Sequence, residues 1–257
     1  ALLFNNVKDH KTPLFVGGTG TYDRFAIALG LKKETPIKQI VSEFSKRIKN
    51  PIKPEILNSG PCKENILYDK DIDLNLFPVP IWNDMDGGRY FGTWHALVTK
   101  DPESDWINAG MYRMMIHDNK TLGVLLAYDQ HIGMHYLKYK KLNKPMPAAI
   151  AVGMDPVIPI ASATPFGKGV CEYDMAGALK NKPIQLVKCE TSELLVPANA
   201  EIIVEGEIPL DERRMEGPFG EWMGHYGGNP RPRPIFNVKC ISFRNNPIYQ
   251  GTLEGKP

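Results

Sequence analysis

Residues 106–127 read WINAGMYRMMIHDNKTLGVLLA. Two apolar runs, Trp106–Ile116 and Thr121–Ala127, lie on either side of a short polar segment. Apolar or alternating runs of this kind, bounded by turn residues, are typical of β-strands. The stretch therefore predicts strand structure in this part of the chain.

The same pattern recurs from about residue 71 onward. Gly, Pro and Asp separate the runs, which favours a largely antiparallel barrel or sandwich. Two helices are predicted to interrupt it, near Gln130–Leu142 and Tyr173–Lys180. The other predicted strands are Tyr90–Thr99, Ala148–Gly153, Ile184–Cys189, Glu201–Glu207 and Ile235–Phe243.

The first 70 residues have α/β character. Leu14–Val16 is predicted to be a short strand, and helices are predicted over Asp23–Leu31 and about Ile37–Lys49. The second helix has apolar residues at helical spacing on one face. The predicted fold class is therefore α+β, with a partial α/β domain over residues 1–70 and a β-rich domain over residues 71–257.

The composition argues against several classes of function. The 257 residues include 31 basic and 29 acidic ones, so the charges nearly balance. The sequence also has no long basic run, and it therefore predicts no basic surface of the kind that binds nucleic acid. No apolar run approaches the ~20 residues that a membrane span needs, and no signal peptide is visible. The cysteines are scattered and form no CxxC pair, which favours a reducing cytosol over a disulfide framework or zinc knuckle.

The glycine-rich segment GGTG (17–20) follows the first predicted strand. It can be a phosphate cradle or a tight turn from strand to helix. Because the later Gly of GxGxxG and the Lys of a P-loop are both absent, the turn is favoured.

The segment NAGMYR places Asn108 and Arg113 five positions apart. In a regular strand this odd spacing puts the two side chains on opposite faces, but Ala109 and Gly110 leave room for a bulge that would bring them together. The planar guanidinium of Arg113 suits a carboxylate ligand. Taken alone, it also fits an exposed strand arginine that pairs with a surface acid.

His131 and Glu172 each begin a predicted helix. His131 follows an apolar strand directly, a common position for ligand binding, although His135 one turn later competes for any role. With Asn108 they form a mixed O/N/O set that suits Mn²⁺ or Mg²⁺ better than zinc. The structural alternatives are a buried or capping histidine and an acid that the helix dipole favours.

The segment MEGPFGEWMGHY (215–226) contains two glutamates, Glu216 and Glu221. Its glycines permit sharp turns and Pro218 cannot donate into a sheet, so a loop that returns on itself is expected. Such a loop can aim both carboxylates into one cavity for acid–base work. The alternatives are a polar surface hairpin and a glycosidase pair, but the aromatic and polar groups of a sugar site are missing.

In this order, NxGxYR, QH, GxxEYDxAGALxxxPIxLVKCET and EGPFGE closely resemble the UbiD family of prenylated-FMN-dependent, reversible decarboxylases. The resemblance runs from about Asp71 to the end and is weaker before it. It implies a split β-barrel related to flavin-reductase barrels over residues 71–257, after a partial α/β N-terminal domain over 1–70. Both ends of the chain look cut, so we expect a fragment that lacks the family's C-terminal domain and its cofactor-contacting lysine.

The resemblance also implies where the cofactors bind. The family's metal set, usually for Mn²⁺ that bridges to the cofactor phosphate, falls on Asn108, His131 and Glu172. The residues that match the K⁺ site are Ala161, Ser162 and Thr164. Those that match the prenylated-FMN contacts are Asn108, Ala109, Gly110, Met111, Tyr112, Arg113, Gln130, His131 and Glu172.

The catalytic group implied by the resemblance is Arg113, Glu216 and Glu221. The substrate would be an aromatic or α,β-unsaturated carboxylic acid, with the flavin as electron sink. Arg113, partnered by Glu216, would orient the flavin or the carboxylate, and Glu221 would protonate the carbon left behind. Glu221 must then be neutral before transfer, so an apolar pocket should raise its pKa. Phe219, Trp222 and Met223 could form its walls, and they fit equally well as residues of the hydrophobic core.

The family further implies a flavin prenyltransferase as cofactor supplier and a homo-oligomer for the full-length protein. A cytoplasmic carboxy-lyase with no nucleic-acid or membrane partner is the leading expectation. The alternatives are a non-catalytic flavin- or metal-binding barrel, an inactive subunit of a multi-subunit carboxylase, and a flavin-independent metal hydrolase.

Overall fold

The computed structural model describes residues 1–255, which contain five α-helices and sixteen strands. The helices are α1 (Tyr22–Ala28), α2 (Ile37–Arg47), α3 (His131–Lys141), α4 (Val157–Ser162) and α5 (Glu172–Lys180), with 3₁₀ turns at Pro61–Lys63, Asp69–Asp71 and Leu74–Leu76. The strands are β1 (Leu2–Phe4), β2 (Leu14–Val16), β3 (Glu55–Leu57), β4 (Asn65–Tyr68), β5 (Tyr90–Gly92), β6 (His95–Lys100), β7 (Ile107–Gly110), β8 (Met114–Asp118), β9 (Thr121–Val124), β10 (Met146–Val152), β11 (Gln185–Lys188), β12 (Leu195–Pro197), β13 (Ile202–Ile208), β14 (Arg213–Glu216), β15 (Arg231–Phe243) and β16 (Tyr249–Gly251). Within this part of the chain no helix has the length and apolar character of a membrane span.

A ten-stranded antiparallel sheet dominates the molecule, in the order β5-β8-β9-β15-β13-β10-β6-β7, with β4 and β14 also paired to β15. β5 and β6 are consecutive in the chain but lie near opposite edges of the sheet, and the same is true of β7 and β8. Only residues 93–94 and 111–113 make these two connections. Because an extended chain spans at most about 3.6 Å per residue, the two edges lie close together. The sheet is therefore curled into a half-barrel, and the overall class is α+β, as predicted.

The two faces of the curled sheet are packed differently. Leu97 of β6, Met114 of β8 and Phe236 of β15 share one hydrophobic cluster, which places them on the concave face. On the other face, small residues such as Ala149 and Ala151 leave room for α4 and α5. Helix α4 packs on β6 and α5 on β7, so the beginning of α5 lies beside the edge of the sheet.

Elements from the first 70 residues pair with later strands. β2 pairs with β16, β3 with β11 and β4 with β15. The division at residue 70 therefore stays a prediction. The GGTG segment forms a turn between β2 and α1, in which Gly17 has φ +70° and accepts hydrogen bonds from the Gly20 N–H and the Arg24 side chain.

Two predictions of secondary structure were wrong. Trp106–Ile116 is not one strand with a bulge, because β7 ends at Gly110 and β8 begins at Met114 on the far side of the sheet opening. Tyr90–Thr99 is likewise divided between β5 and β6. Helix α4 was missed because Pro156 and Pro159 suggest a loop, but proline is tolerated in the first turn of a helix.

Candidate active site

The connection Met111–Arg113 crosses the opening between the two edges of the sheet. Gly110 precedes it and lies under the ring of Tyr112, where an added Cβ would come within 2.5 Å of a ring carbon. Glycine is therefore required at this close approach. The crossing places Arg113 on one side of the opening and Asn108 on the other.

Arg113 is paired with Glu216, the last residue of β14. Its Nε donates to Oε1 at 3.0 Å and its Nη2 to Oε2 at 3.2 Å, while the Glu216 side chain is completely buried. The hydroxyl of Tyr90 donates a third hydrogen bond to this carboxylate, and the Arg233 Nε lies 3.9 Å away. Burial alone would lower the pKa of Arg113, but the hydrogen bonds and charge of Glu216 raise it overall.

Glu221 reaches the same guanidinium from the loop that follows β14. Its Oε1 accepts a hydrogen bond from the Arg113 Nη1. The loop is closed by hydrogen bonds from the Glu221 N–H to the His225 carbonyl at 2.9 Å and from the Gly220 N–H to the Asp86 carboxylate at 2.8 Å. The prediction of a returning loop that brings Glu216 and Glu221 together is therefore confirmed.

The predicted walls of the Glu221 pocket are only partly right. Phe219 is buried, packs on Tyr90 with ring centroids 4.2 Å apart, and lies 5.3 Å from the Arg113 guanidinium carbon. Trp222 and Met223 are 73% and 58% exposed, so the prediction that they enclose Glu221 was wrong. The turn at Glu221–Gly224 directs both side chains outward instead.

A third carboxyl group, Glu254, faces this cluster and was missed by the sequence reasoning. Burial raises its pKa to about 7. The negative charge of Glu221 also raises this pKa, whereas the positive charge of Arg113 lowers it. The following residue, Gly255, packs against the Glu221 backbone, where an added Cβ would lie 2.4 Å from the carbonyl oxygen. No motif pointed to this residue.

Across the opening lies a pocket of about 310 Å³. This volume is at the lower end of the roughly 300–1,000 Å³ range of small-molecule sites. It is lined by Asn108, Gly110, Met111, Tyr112, Asp129, Gln130, His131, Ser162, Ala163, Thr164, Pro165, Phe166 and Glu172. Most of the residues predicted to contact a cofactor or K⁺ therefore share one cavity. Three do not line it: Ala109 and Ala161 are buried, and Arg113 lies across the opening with Glu216 and Glu221.

The three predicted metal ligands meet in this pocket. His131, the first residue of α3, places Nδ1 3.6 Å from Oε1 of Glu172, the first residue of α5. The other oxygen of Glu172 accepts from the Ala109 N–H at 2.8 Å. Asn108 accepts a hydrogen bond from the Tyr112 hydroxyl at 3.3 Å through Oδ1. Burial raises the pKa of Glu172.

The pocket fits an oxygen-ligated cation and an anionic group. Among the described residues no cluster of three His, Cys, Asp or Glu side chains could hold a metal, so Asn108 is needed to complete a set. An amide oxygen, an imidazole and a carboxylate suit a hard divalent cation whose remaining ligands are supplied by a cofactor and water. The buried Ser162 hydroxyl lines the same pocket and has no hydrogen-bond partner in the described part of the chain, so it is available to a ligand.

Candidate cation ligands and a cluster of carboxylates around one guanidinium, at the same opening, are compatible with an enzyme that uses a bound cofactor. The model of the 3-octaprenyl-4-hydroxybenzoate carboxy-lyase Rift-related domain matches residues 55–257, and the model of the N-terminal domain of the same enzymes matches residues 1–44. The chain therefore belongs to the UbiD family.

Curated relatives of the chain are decarboxylases. Pyrrole-2-carboxylic acid decarboxylase of Pseudomonas aeruginosa is 36% identical over 267 residues, covering 100% of this chain and 54% of its own. Phenolic acid decarboxylase of Bacillus subtilis is 37% identical over 268 residues, covering 100% and 55%. The chain thus spans about half the length of the curated relatives it matches.

Solved structures of the same class are also similar. Vanillic acid decarboxylase of Sedimentibacter hydroxybenzoicus in its closed form has a TM-score of 0.95 and 34% identity, covering 99% of this chain and 55% of its own. An evolved dimeric form of the UbiD-class enzyme HmfF of Pelotomaculum thermopropionicum, in complex with prFMN, has a TM-score of 0.92 and 32% identity, covering 99% and 58%. The fold of this chain is therefore that of the corresponding half of these enzymes.

Proposed function

We propose that the protein catalyses the prenylated-FMN-dependent, reversible decarboxylation of an aromatic or α,β-unsaturated carboxylic acid. The observation that carries this proposal is the contact of one guanidinium, that of Arg113, with both Glu216 and Glu221 at the opening that also holds the candidate cation ligands. The names of the relatives support decarboxylation as the reaction class.

Asn108, His131 and Glu172 would hold Mn²⁺, which would neutralise the cofactor phosphate in the pocket. K⁺ would lie beside it, near Ser162 and Thr164. When bound, the flavin supplies an electron sink for the bond that breaks as carbon dioxide leaves. The curled sheet would act as a split barrel of the flavin-reductase type, with the cofactor in the opening that residues 111–113 cross.

Arg113 and Glu216 act as a positioning pair. Because Glu216 is buried and holds the guanidinium through two nitrogens, Arg113 keeps one orientation and leaves Nη1 to Glu221. A substrate carboxylate at the opening would be oriented by this positive charge. Glu221, whose side chain is 22% exposed, would deliver the proton to the carbon that has lost its carboxylate.

Several properties of the whole protein belong to the same proposal. A flavin prenyltransferase would supply the cofactor, the full-length protein would be a homo-oligomer, and the location would be the cytoplasm. The boundary near residue 70 would separate an N-terminal α/β domain from the cofactor-binding barrel.

The proposal is tested with Glu221→Gln in the full-length protein, loaded with the prenylated flavin and supplied with aryl acids. We expect carbon dioxide release to be abolished while the ultraviolet–visible spectrum still shows bound flavin. Glu193→Gln is the matched control, since Glu193 is exposed and pairs with Lys188 at the surface. Full turnover by Glu221→Gln would show that Glu221 is not the proton donor.

The spectrum and the activity of the unchanged protein separate the alternatives. Bound flavin without turnover of any aryl acid would indicate a non-catalytic barrel or an inactive subunit of a multi-subunit carboxylase. Metal binding without flavin affinity would indicate a flavin-independent metal hydrolase.

A further inference from the structure

Behind the candidate cation site, three buried side chains form a continuous hydrogen-bonded chain. Asn108 of β7 lies directly opposite Thr99 of β6 in the strand register, and its Nδ2 donates to the Thr99 Oγ1 at 3.3 Å. The Thr99 Oγ1 in turn lies 2.9 Å from Nδ1 of His135 on α3. All three residues are at most 1% exposed.

The Thr99 hydroxyl can bond to both neighbours at once. A hydroxyl has one hydrogen and two lone pairs, so the Thr99 oxygen accepts from the Asn108 Nδ2 and still bonds the His135 Nδ1, as donor or acceptor according to the tautomer of the ring. The Nδ2 of Asn108 is used in the hydrogen bond to Thr99, and Thr99 does not line the pocket. The Oδ1 of Asn108 is therefore the atom on the pocket side, and it also accepts a hydrogen bond from the Tyr112 hydroxyl.

Packing holds His135 in place. Its ring makes an edge contact with Trp106 at a centroid distance of 4.5 Å, and Trp106 makes a second contact of this kind with His131 at 4.9 Å. The Trp106 indole is anchored by donating to the Val170 carbonyl at 3.0 Å. The second hydrogen-bond partner of the Thr99 hydroxyl therefore belongs to a ring with little freedom to turn.

We propose that Thr99, supported by His135, is a positioning residue that keeps the amide oxygen of Asn108 turned toward the bound cation. The inference rests on the proposed role of Asn108 as a metal ligand. An Asn side chain has nearly the same shape in both flipped orientations, but only one presents an acceptor, and the other would present an NH₂ group to the cation. Groups that orient metal ligands typically change metal affinity by about 10- to 100-fold when removed.

The test is Mn²⁺ binding alone, measured by titration calorimetry on this chain in the absence of flavin. Thr99→Val keeps the shape of the side chain and removes the hydroxyl, and we expect Mn²⁺ affinity to fall by about 10-fold or more. Thr99→Ser keeps the hydroxyl and should bind Mn²⁺ as the unchanged protein does. Thermal unfolding of each variant shows whether it is folded, and Thr99→Ala replaces Thr99→Val if the latter is not.

The Asn108→Asp background distinguishes a lost orientation of the Asn108 amide from a general disturbance of the structure around the site. A carboxylate presents an oxygen in either orientation, so Thr99→Val should have little effect on Mn²⁺ affinity in the Asn108→Asp background. An equal loss in both backgrounds, or no loss in the Asn108 background, would overturn the positioning role. No Mn²⁺ binding by the unchanged protein and by Asn108→Asp would instead refute the proposed metal site, and the inference with it.

Discussion

The hydroxyl of Tyr90 donates to the Oε1 atom of Glu216 at 2.8 Å, although the two residues lie 126 positions apart in the chain. The same oxygen accepts from the Arg113 Nε at 3.0 Å. Burial, followed by the charge of Glu216, raises the pKa of Tyr90, so its hydroxyl remains a donor. The residue that orients Arg113 is therefore itself held by an uncharged group from β5, the edge strand that pairs with β8.

Tyr90→Phe should destabilise the fold. It removes a buried hydrogen bond to a charged group, which is worth about 1.5–3 kcal/mol, while leaving the packing on Phe219 intact. The free energy of unfolding in urea measures the effect. Tyr22→Phe is the control, because Tyr22 is 63% exposed. Equal losses in the two variants would contradict the importance of the Tyr90–Glu216 bond.

Gly227→Ala should reduce activity without unfolding the protein. A Cβ there would lie 2.8 Å from the Glu221 Oε1 and 3.0 Å from the Arg113 Nη1, so the ends of two side chains must shift. A displacement of catalytic groups by about 1 Å can cost roughly 100-fold in rate. The turnover number of the loaded full-length enzyme and its melting temperature are compared with those of Gly167→Ala, where an added Cβ meets nothing within 4 Å. Unchanged turnover would show that the pair does not need this spacing.

Glu254 should make stability depend on pH. Its pKa is raised from 4.5 to about 7 in the folded protein, so the folded state holds this proton more tightly than the unfolded state. The resulting stabilisation is complete below about pH 4.5 and is lost as the pH rises through about 7. The melting temperature of the unchanged protein should therefore fall over this range relative to Glu254→Gln, whose amide does not titrate. Parallel melting curves across the range would be inconsistent with a raised pKa of the partly buried Glu254 carboxyl.

His131→Ala should lose Mn²⁺ and bind flavin more weakly, because it removes the imidazole that faces Glu172 at 3.6 Å. Metal content after dialysis is measured by atomic absorption, and flavin binding by fluorescence. His10→Ala, in the N-terminal segment, controls for the general loss of a histidine. Metal content equal to that of the control would count against His131 as a ligand.

The sequence predicted the parts of the site that lie within short segments. The EGPFGE motif is local, and its glycines and proline were enough to predict a loop with two convergent carboxylates. The resemblance to the UbiD family assigned Asn108, His131 and Glu172 to a common site, and the structure brings the three together. Their roles in metal binding and catalysis stay predictions.

The parts that sequence reasoning missed depend on pairing between distant segments. Tyr90 and Glu254 belong to no motif, and they reach Glu216 and Glu221 through contacts between segments that are distant in the chain. Thr99 faces Asn108 through the register of β6 and β7, which a sequence pattern does not specify. The exposure of Trp222 and Met223 was missed because apolar residues next to a functional carboxylate were assumed to enclose it.

The crossing at residues 111–113 has a consequence for how this scaffold can evolve. Four Cα–Cα steps of about 3.8 Å separate Gly110 from Met114, so covalent geometry sets an upper limit on the separation of the two strand ends, beside which lie the candidate cation ligand Asn108 and the Arg113 cluster. Substitutions elsewhere can reshape the walls for different acids without changing this limit. An insertion of one residue in the crossing would lengthen this connection by about 3.5 Å. The candidate cation ligands and the Arg113 cluster would then no longer match the proposed cofactor, whose length is fixed.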